Sequence, residues 1–419
     1  MRIVHPLRSA RVALLWGGLS FSALGDQLYA VALTWIAVGV FGRNAGYLSA
    51  LQALAVLLAV LGIGRWADRW DQLRSMIGAD LARACALAAA VALWLTFGGP
   101  TAAQLIGVIV LLAVGQAVFQ PALQAVLASL VSDADMLPAA NGLLDATDRS
   151  ARLLGPGLVA LLAGAVPLAH FLTLDAFSFL VSAAALLLIT RLRPRLPATR
   201  STERGSVWFS ITRGVRAMMS HPLLGYCLAV TGLLNGTWYG VFFLGLPLMI
   251  AQHSAAGAGL GGYGFVLSAY GCTNLLATVF FGSRHLPARP QFQMFGGNIV
   301  IGVGLALLGL AGLLPGPWLL PGFAAAAGLG AIGGPMKDIP LAVLRQTRLR
   351  PADRAAGMRA YLAANSAGIL LAMLLMPGAI ELAGVQRMIM ACSLIYLAVG
   401  VVGLALHAGW VEPSGGHRA

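Results

Sequence analysis

Twelve hydrophobic runs of eighteen or more residues recur along this 419-residue chain, and no other feature restricts its fold so severely. A helix of that length crosses a hydrocarbon core of about 30 Å, and lipid tolerates only structures that satisfy their own backbone polar groups. The runs are Val12–Val40, Ala45–Ile63, Ser75–Phe97, Leu105–Val131, Asn141–Val166 and His170–Thr190, then Leu223–Ala251, Gly262–Phe281, Phe292–Leu314, Trp318–Leu344, Met358–Leu382 and Met388–Ala408. With 59% hydrophobic and 10% charged residues, the chain has too little polar surface to cover a soluble domain. The expected fold class is an all-α membrane protein of twelve transmembrane helices.

Arginine placement orients these helices. Arg2, Arg8, Arg11, Arg65, Arg69, Arg74, the group from Arg191 to Arg216, Arg284, Arg289, the group from Arg345 to Arg359, and Arg418 fall on one side. Arg43 and Arg387 fall on the other. The bias places both termini in the cytoplasm. It also accounts for a net charge of +13 through anionic lipid, so no nucleic-acid partner is expected. The first run is too long for a signal-peptide core and lacks a cleavage site before the next span, so it is expected to stay. Cys85, Cys227, Cys272 and Cys392 lie inside spans without metal or redox spacing and read as apolar filler.

The spans divide six and six around "RLRPRLPATRSTERGS", Arg191 to Ser206. The expected organisation is an N-terminal bundle over 1–190, a cytoplasmic linker over 191–221 and a C-terminal bundle over 222–419. Within the linker, Val207, Trp208, Ile211, Val215 and Met218 share one helical side, with Arg213 and Arg216 off it, which predicts a short helix at the membrane surface. The stretches Gly115–Gly142 and Gly330–Gly357 echo each other weakly, as duplicated transporter halves do.

A charge at mid-membrane costs about 2.5–3.5 kcal/mol on insertion scales and needs a partner or a wet cavity. Asp26, Asp80, Asp145, Asp148, Asp175 and Asp338 lie inside spans and clear of their ends. Asp80–Arg83, Asp145–Arg149 and Asp148–Arg152 are spaced for pairing on one helix. Asp80 reads as structural, and the span-five quartet as either a structural network or a charge relay. Asp175 reads as a helix-packing hydrogen-bonder. Asp26 sits near the middle of its span with no cation within a turn, and carboxyl groups in such surroundings can exchange protons near neutral pH. It is either a proton-coupling group, with Arg149 or Arg152 approaching from span five, or a buried interhelical hydrogen-bonder. Lys337, the single lysine, stands in "GGPMKDIP" beside Asp338, where Pro335 and Pro340 are expected to disrupt the helix and free carbonyls.

Several stretches resemble the major facilitator superfamily, in particular its bacterial branch of macrolide-efflux and enterobactin-type siderophore exporters. They are "SALGDQLYAVALTW", "GRWADRWDQLR", "ADLARA", "FQPALQAVL", "LPAANGL" with "ARLLGPGL", and "FLTLDAFSFL" in the N-terminal half, and "GYGFVLSAYG" and "GMRAY" in the C-terminal half. The loop after span two is similar to the family's Gly-x-x-x-Asp-Arg-x-Gly-Arg-Lys/Arg motif through Gly64, Asp68 and Arg69. It departs from it at Asp71, Gln72 and Leu73, with Arg74 the nearest basic residue. The resemblance implies a conformational latch there, with Asp80 and Arg83 just beyond, and Asp68 at the start of span three set to meet exposed helix N–H groups. "LLGPGL" resembles the antiporter motif at Gly155 and Pro156 but carries Ala151, Val159 and Ala160 where glycines are usual.

In that superfamily, spans one, four, seven and ten line a central cavity. Lys337 and Asp338 are thus implied to face it, and polar and aromatic residues at similar depth, Gln27, Tyr29, Gln116, Gln120, Asn235, Trp238, Tyr239, Tyr270, Asn274 and Asn365, would make the remaining lining, suited to an amphiphilic or ring-bearing ligand. Lys337 either faces this cavity or snorkels to the interface. The expected function is export of a siderophore or drug-like molecule across the bacterial inner membrane in exchange for protons, by a monomer without cofactors or metal. Uptake by proton symport is the alternative. A polytopic enzyme has no nucleophile–His–acid set, ligand cluster or nucleotide loop to support it.

Overall fold

A computed structural model of the chain describes residues 5–67, 71–130, 137–191, 207–252, 259–284 and 287–409. The first helices are α1 (Ala10–Phe41), α2 (Ala45–Ala67), α3 (Gln72–Phe97), α4 (Ala102–Leu130), α5 (Leu137–Leu162) and α6 (Leu168–Arg191). A short α7 (Val207–Met219) precedes α8 (Pro222–Gly240) and α9 (Leu246–Gln252), which a π-helical turn at Val241–Gly245 joins into one span. The chain continues through α10 (Gly259–Gly282), α11 (Pro290–Ala311), α12 (Gly316–Arg348), α13 (Pro351–Ala383) and α14 (Val385–His407). Counting α8 and α9 as one, the twelve long segments match the twelve expected spans, and the architecture is the all-α one read from the sequence.

Ten helical stretches among the described residues are long and apolar enough to cross a membrane by length and composition alone. The first runs through Ala10–Ala55, joining α1 to the start of α2. Helix α5 falls short because Asp145, Asp148, Arg149 and Arg152 crowd its middle. Large apolar side chains such as Leu95, Phe97, Leu276, Val279 and Leu382 stand exposed, as lipid-facing residues do.

The chain divides into two compact units. The first comprises Met1–Glu203 with Gly259–Ser268, the opening turns of α10, and the second Arg204–Ala258 with Ala269–Ala419. In the first unit, α6 packs on both α1 and α3, α4 on α2 and α3, and α5 on α1. One apolar cluster there gathers Leu15, Met76, Phe119, Leu127, Leu186 and Ile189. Lipid gives apolar side chains no reason to leave it, so such contacts depend on close fit. At Gly18 an added Cβ would lie 3.3 Å from the Ser182 backbone and 2.8 Å from Ala185 Cβ, so α1 and α6 nearly touch.

The second unit is built on the pairs α11–α12, α11–α14 and α8–α13. Gly232 and Gly368 meet backbone to backbone where α8 crosses α13, and a methyl group on either would strike the other helix. Helix α7 belongs here too, docked on α13. Gly214 abuts the Ala356 carbonyl, Met218 is buried, and Arg213 Nε lies 2.7 Å from Asp353 Oδ1. The sequence groups Val215 with Met218, yet Val215 is exposed. The docked face is set by Gly214, whose missing side chain admits the α13 backbone.

The expected disruption at Pro335 and Pro340 does not occur. Helix α12 runs unbroken from Gly316 to Arg348 with Pro321, Pro335 and Pro340 inside it. A proline withholds one N–H and leaves the carbonyl four residues earlier without its helical donor. For Pro335 that carbonyl is Ala331, and Asn274 Nδ2 of α10 supplies the bond at 3.0 Å.

Candidate functional site

Asp26, on the seventeenth residue of α1, is half-buried, and the Arg83 guanidinium and the Asp80 and Asp148 carboxylates lie within its electrostatic range. The sequence leads one to expect Arg149 or Arg152 of α5 as its cation. Among the described residues the structure brings Arg83 of α3 near it, while Arg152 binds Asp148 at 2.6 Å on an exposed face of α5. The side chains of Asp145 and Arg149 lie outside the described residues.

Arg83 is buried, with Asp80 as its ion-pair partner on the same helix, as the spacing predicts. The surrounding cage is not legible from that spacing. The guanidinium carbon sits 4.2 Å from the centre of the Phe179 ring of α6 and 4.8 Å from that of Phe119 on α4, and its stem lies on Gly115. Aromatic faces are among the few surfaces that attract a cation away from water. Asp80 and Arg83 therefore belong to the interior of the first unit and not to the loop motif. Asp80 is nine residues, about 14 Å of helix, beyond Asp71 at the start of α3.

Of the loop motif itself, Asp68 and Arg69, like the surroundings of Gly64, lie outside the described residues. At the start of α3 the N-cap is Asp71, whose Oδ1 accepts from Arg74 N at 2.9 Å. A carboxylate at that position satisfies an otherwise orphaned amide and complements the helix dipole.

The polar face of the first unit continues through Gln27, half-buried where α1 approaches Gly155 of α5, and through Gln116 and Gln120, both exposed on α4. Exposed amides at this depth require water or ligand beside them. Tyr29 points the other way, buried near Asp26 and Asp175.

In the second unit, Trp238 and Tyr270 lie 5.8 Å apart between ring centres, each against Phe242, and Tyr239 stacks on Phe243 at 4.3 Å. A small cavity beside them is lined by Trp238, Phe242, Tyr270, Ile301 and Leu305. Of these aromatics, Phe242 and Phe243 stand on the π-helical turn, whose wider winding shifts the helical register between α8 and α9. Asn235 donates to the Thr231 carbonyl at 3.1 Å, and Asn365 is half-buried. Lys337 is buried and reaches Asp338 at 3.3 Å, while Asp338 is half-exposed, so this pair offers its acid, not its base, to the outside of the unit.

Sequence reasoning missed how much Asp175 does. Its carboxyl is fully buried, with Oδ1 accepting from Ser178 Oγ at 3.0 Å, and Asp26 and Arg83 are close enough to act on it electrostatically. The available signal was Asp175, Ser178 and Ser182 at i, i+3 and i+7, a polar stripe on an otherwise apolar helix.

The profile of the Major Facilitator Superfamily matches residues 15–344, and the chain belongs to that family. It is therefore a multi-pass membrane transporter of the major facilitator type. A relative from Bacillus subtilis (strain 168), described as an uncharacterized MFS-type transporter, YfiS, is 25% identical over 405 residues, covering 92% of this chain and 90% of the relative. Among solved structures, the nucleoside transporter NupG superposes with a TM-score of 0.68 at 13% identity, covering 94% of this chain and 98% of that one. The POT family transporter PepTSo does so at 0.67 and 11%, covering 96% and 98%. These structures share the fold.

Proposed function

We propose that the chain is a proton-coupled exporter of the bacterial inner membrane, with both termini cytoplasmic, which moves a siderophore or drug-like amphiphile outward by alternating access. One observation carries this reading: Asp26 is half-buried at the middle of α1, beside a cation, Arg83, that a second acid already engages. Protonating Asp26 removes its attraction to Arg83, and such a change can bias which conformation is favoured. The aromatic group of Trp238, Phe242 and Tyr270 in the second unit would contact the rings of an amphiphilic ligand. The loop from Gly64 to Arg74 would act as the latch that is made and released.

Solved structures of this fold include ones described as a nucleoside transporter, NupG, and a peptide transporter, POT, which favours small polar-decorated substrates. No cofactor beyond the proton gradient is needed, and a monomer suffices.

The test uses purified protein in liposomes carrying an internal pH dye, challenged with a macrolide and with a catecholate siderophore. Export by antiport requires substrate and protons to move in opposite directions, and symport requires the same direction. Asp26→Asn should abolish transport driven by a pH gradient while leaving insertion intact. Unchanged gradient-driven transport in that variant removes Asp26 from the mechanism.

A further inference from the structure

Three carboxyl groups converge on one cation in the first unit. Ser178 of α6 donates to Asp175, and Asp26 and Tyr29 of α1 and Asp80 and Arg83 of α3 lie within its electrostatic range. The helices meet tightly here, since a Cβ on Gly25 would lie 2.7 Å from Asp175 Oδ1. Arg83 is engaged by Asp80 and held by two phenylalanine rings. Among the described residues that leaves Asp175, which is 0% exposed, without a cation of its own. Its Oδ2 is shut from solvent and has no hydrogen-bond partner among the described residues, and the same holds for Asp80 Oδ2.

An ionised carboxylate only accepts hydrogen bonds, and burying one with an orphaned oxygen costs several kcal/mol. A carboxyl that holds a proton avoids most of that cost. Asp175 also begins a row of hydroxyls: Ser178 and Ser182 follow on the same face, spanning about 10 Å along α6, and Ser182 lies against the Asp80 carboxyl. Ser178 Oγ is bonded to Asp175, while Ser182 Oγ has no hydrogen-bond partner among the described residues.

We propose that Asp175 is a second proton-binding carboxyl of this transporter, sharing the counter-ion Arg83 with Asp26 and Asp80. A proton held at one acid of such a group changes how strongly Arg83 holds the others, so the protons of the cluster bind as a coupled set. This rests on the proton-coupled reading above, but it is tested without any substrate.

Infrared difference spectra of the purified full-length protein, recorded between mildly acidic and mildly alkaline buffer, report the C=O stretch of protonated carboxyl groups. Asp175→Asn should remove one pH-dependent component, and Asp26→Asn a different one. Ser178→Ala, a milder change, should keep the Asp175 component and shift its frequency, because Oδ1 loses its donor. The proposal is overturned if Asp175→Asn, folded and melting as the wild type does, leaves the pH-dependent spectrum unchanged. It is equally overturned if the Asp175 band is insensitive to pH, or if adding sodium at constant pH abolishes it. Should Asp175→Asn fail to fold, an unshifted spectrum in Ser178→Ala overturns it. If the Asp175 band titrates but Asp26→Asn transports normally, the reading of Asp26 fails and this one stands.

Discussion

Asn274 Nδ2 of α10 donates to the carbonyl of Ala331 at 3.0 Å, the acceptor that Pro335 deprives of its helical partner. At Pro335 a neighbouring helix thus supplies what the proline withholds, so the Ala331 carbonyl is not left unpaired in the membrane. An amide that looks like cavity lining in the sequence thus serves a backbone on another helix.

Asn274→Ala should destabilise the protein by about 1–3 kcal/mol, the cost of leaving a buried acceptor unpaired. In a Pro335→Ala background the same change should cost much less, because residue 335 then carries the missing N–H. Thermal melts of the four proteins in detergent give the coupling, and independent effects would show that the bond does not compensate for the proline.

Arg83→Met should be among the most damaging single changes in the first unit, since it leaves Asp80 buried without a partner. Breaking such a pair typically costs about 3–5 kcal/mol. Adding Asp80→Leu should recover part of the loss. Arg83→Lys should fall between, keeping the charge but losing the planar contact with Phe119 and Phe179. Yields of monodisperse protein and melting temperatures would rank the variants, and the double variant melting no higher than Arg83→Met would count against the pair.

Gly368→Leu should abolish stable folding, because any side chain there meets the Gly232 backbone of α8. Gly78→Leu provides the control. Gly78 is exposed on α3 with open space beside its Cα, so leucine should be tolerated and even favoured by helix propensity. Size-exclusion profiles after membrane extraction would separate the two outcomes.

Docking of α7 should depend on fit more than on charge. Arg213→Ala removes a half-exposed ion pair with Asp353 and should cost at most about 1 kcal/mol. Gly214→Val drives a branched side chain into the Ala356 carbonyl and should release the helix. Faster tryptic cleavage at Arg216 in Gly214→Val, with wild-type rates in Arg213→Ala, is the expected pattern, and the reverse order would make the ion pair the main tether.

Hydropathy alone marked the spans, because crossing a bilayer is a demand each segment meets by itself, residue by residue. Pairs within one helix were equally legible: Asp148–Arg152 and Asp80–Arg83 follow from helical spacing and are found bonded. Partners across helices were not. That Asp26 has Arg83 near it, that Phe119 and Phe179 enclose that arginine, and that Asp175 shares its surroundings depend on how α1, α3, α4 and α6 approach one another. Those approaches are decided by small residues such as Gly18, Gly25 and Gly115, whose meaning lies in what they leave room for. Helical period places a side chain on a face, but only the packed neighbours determine whether that face meets lipid, water or another charge.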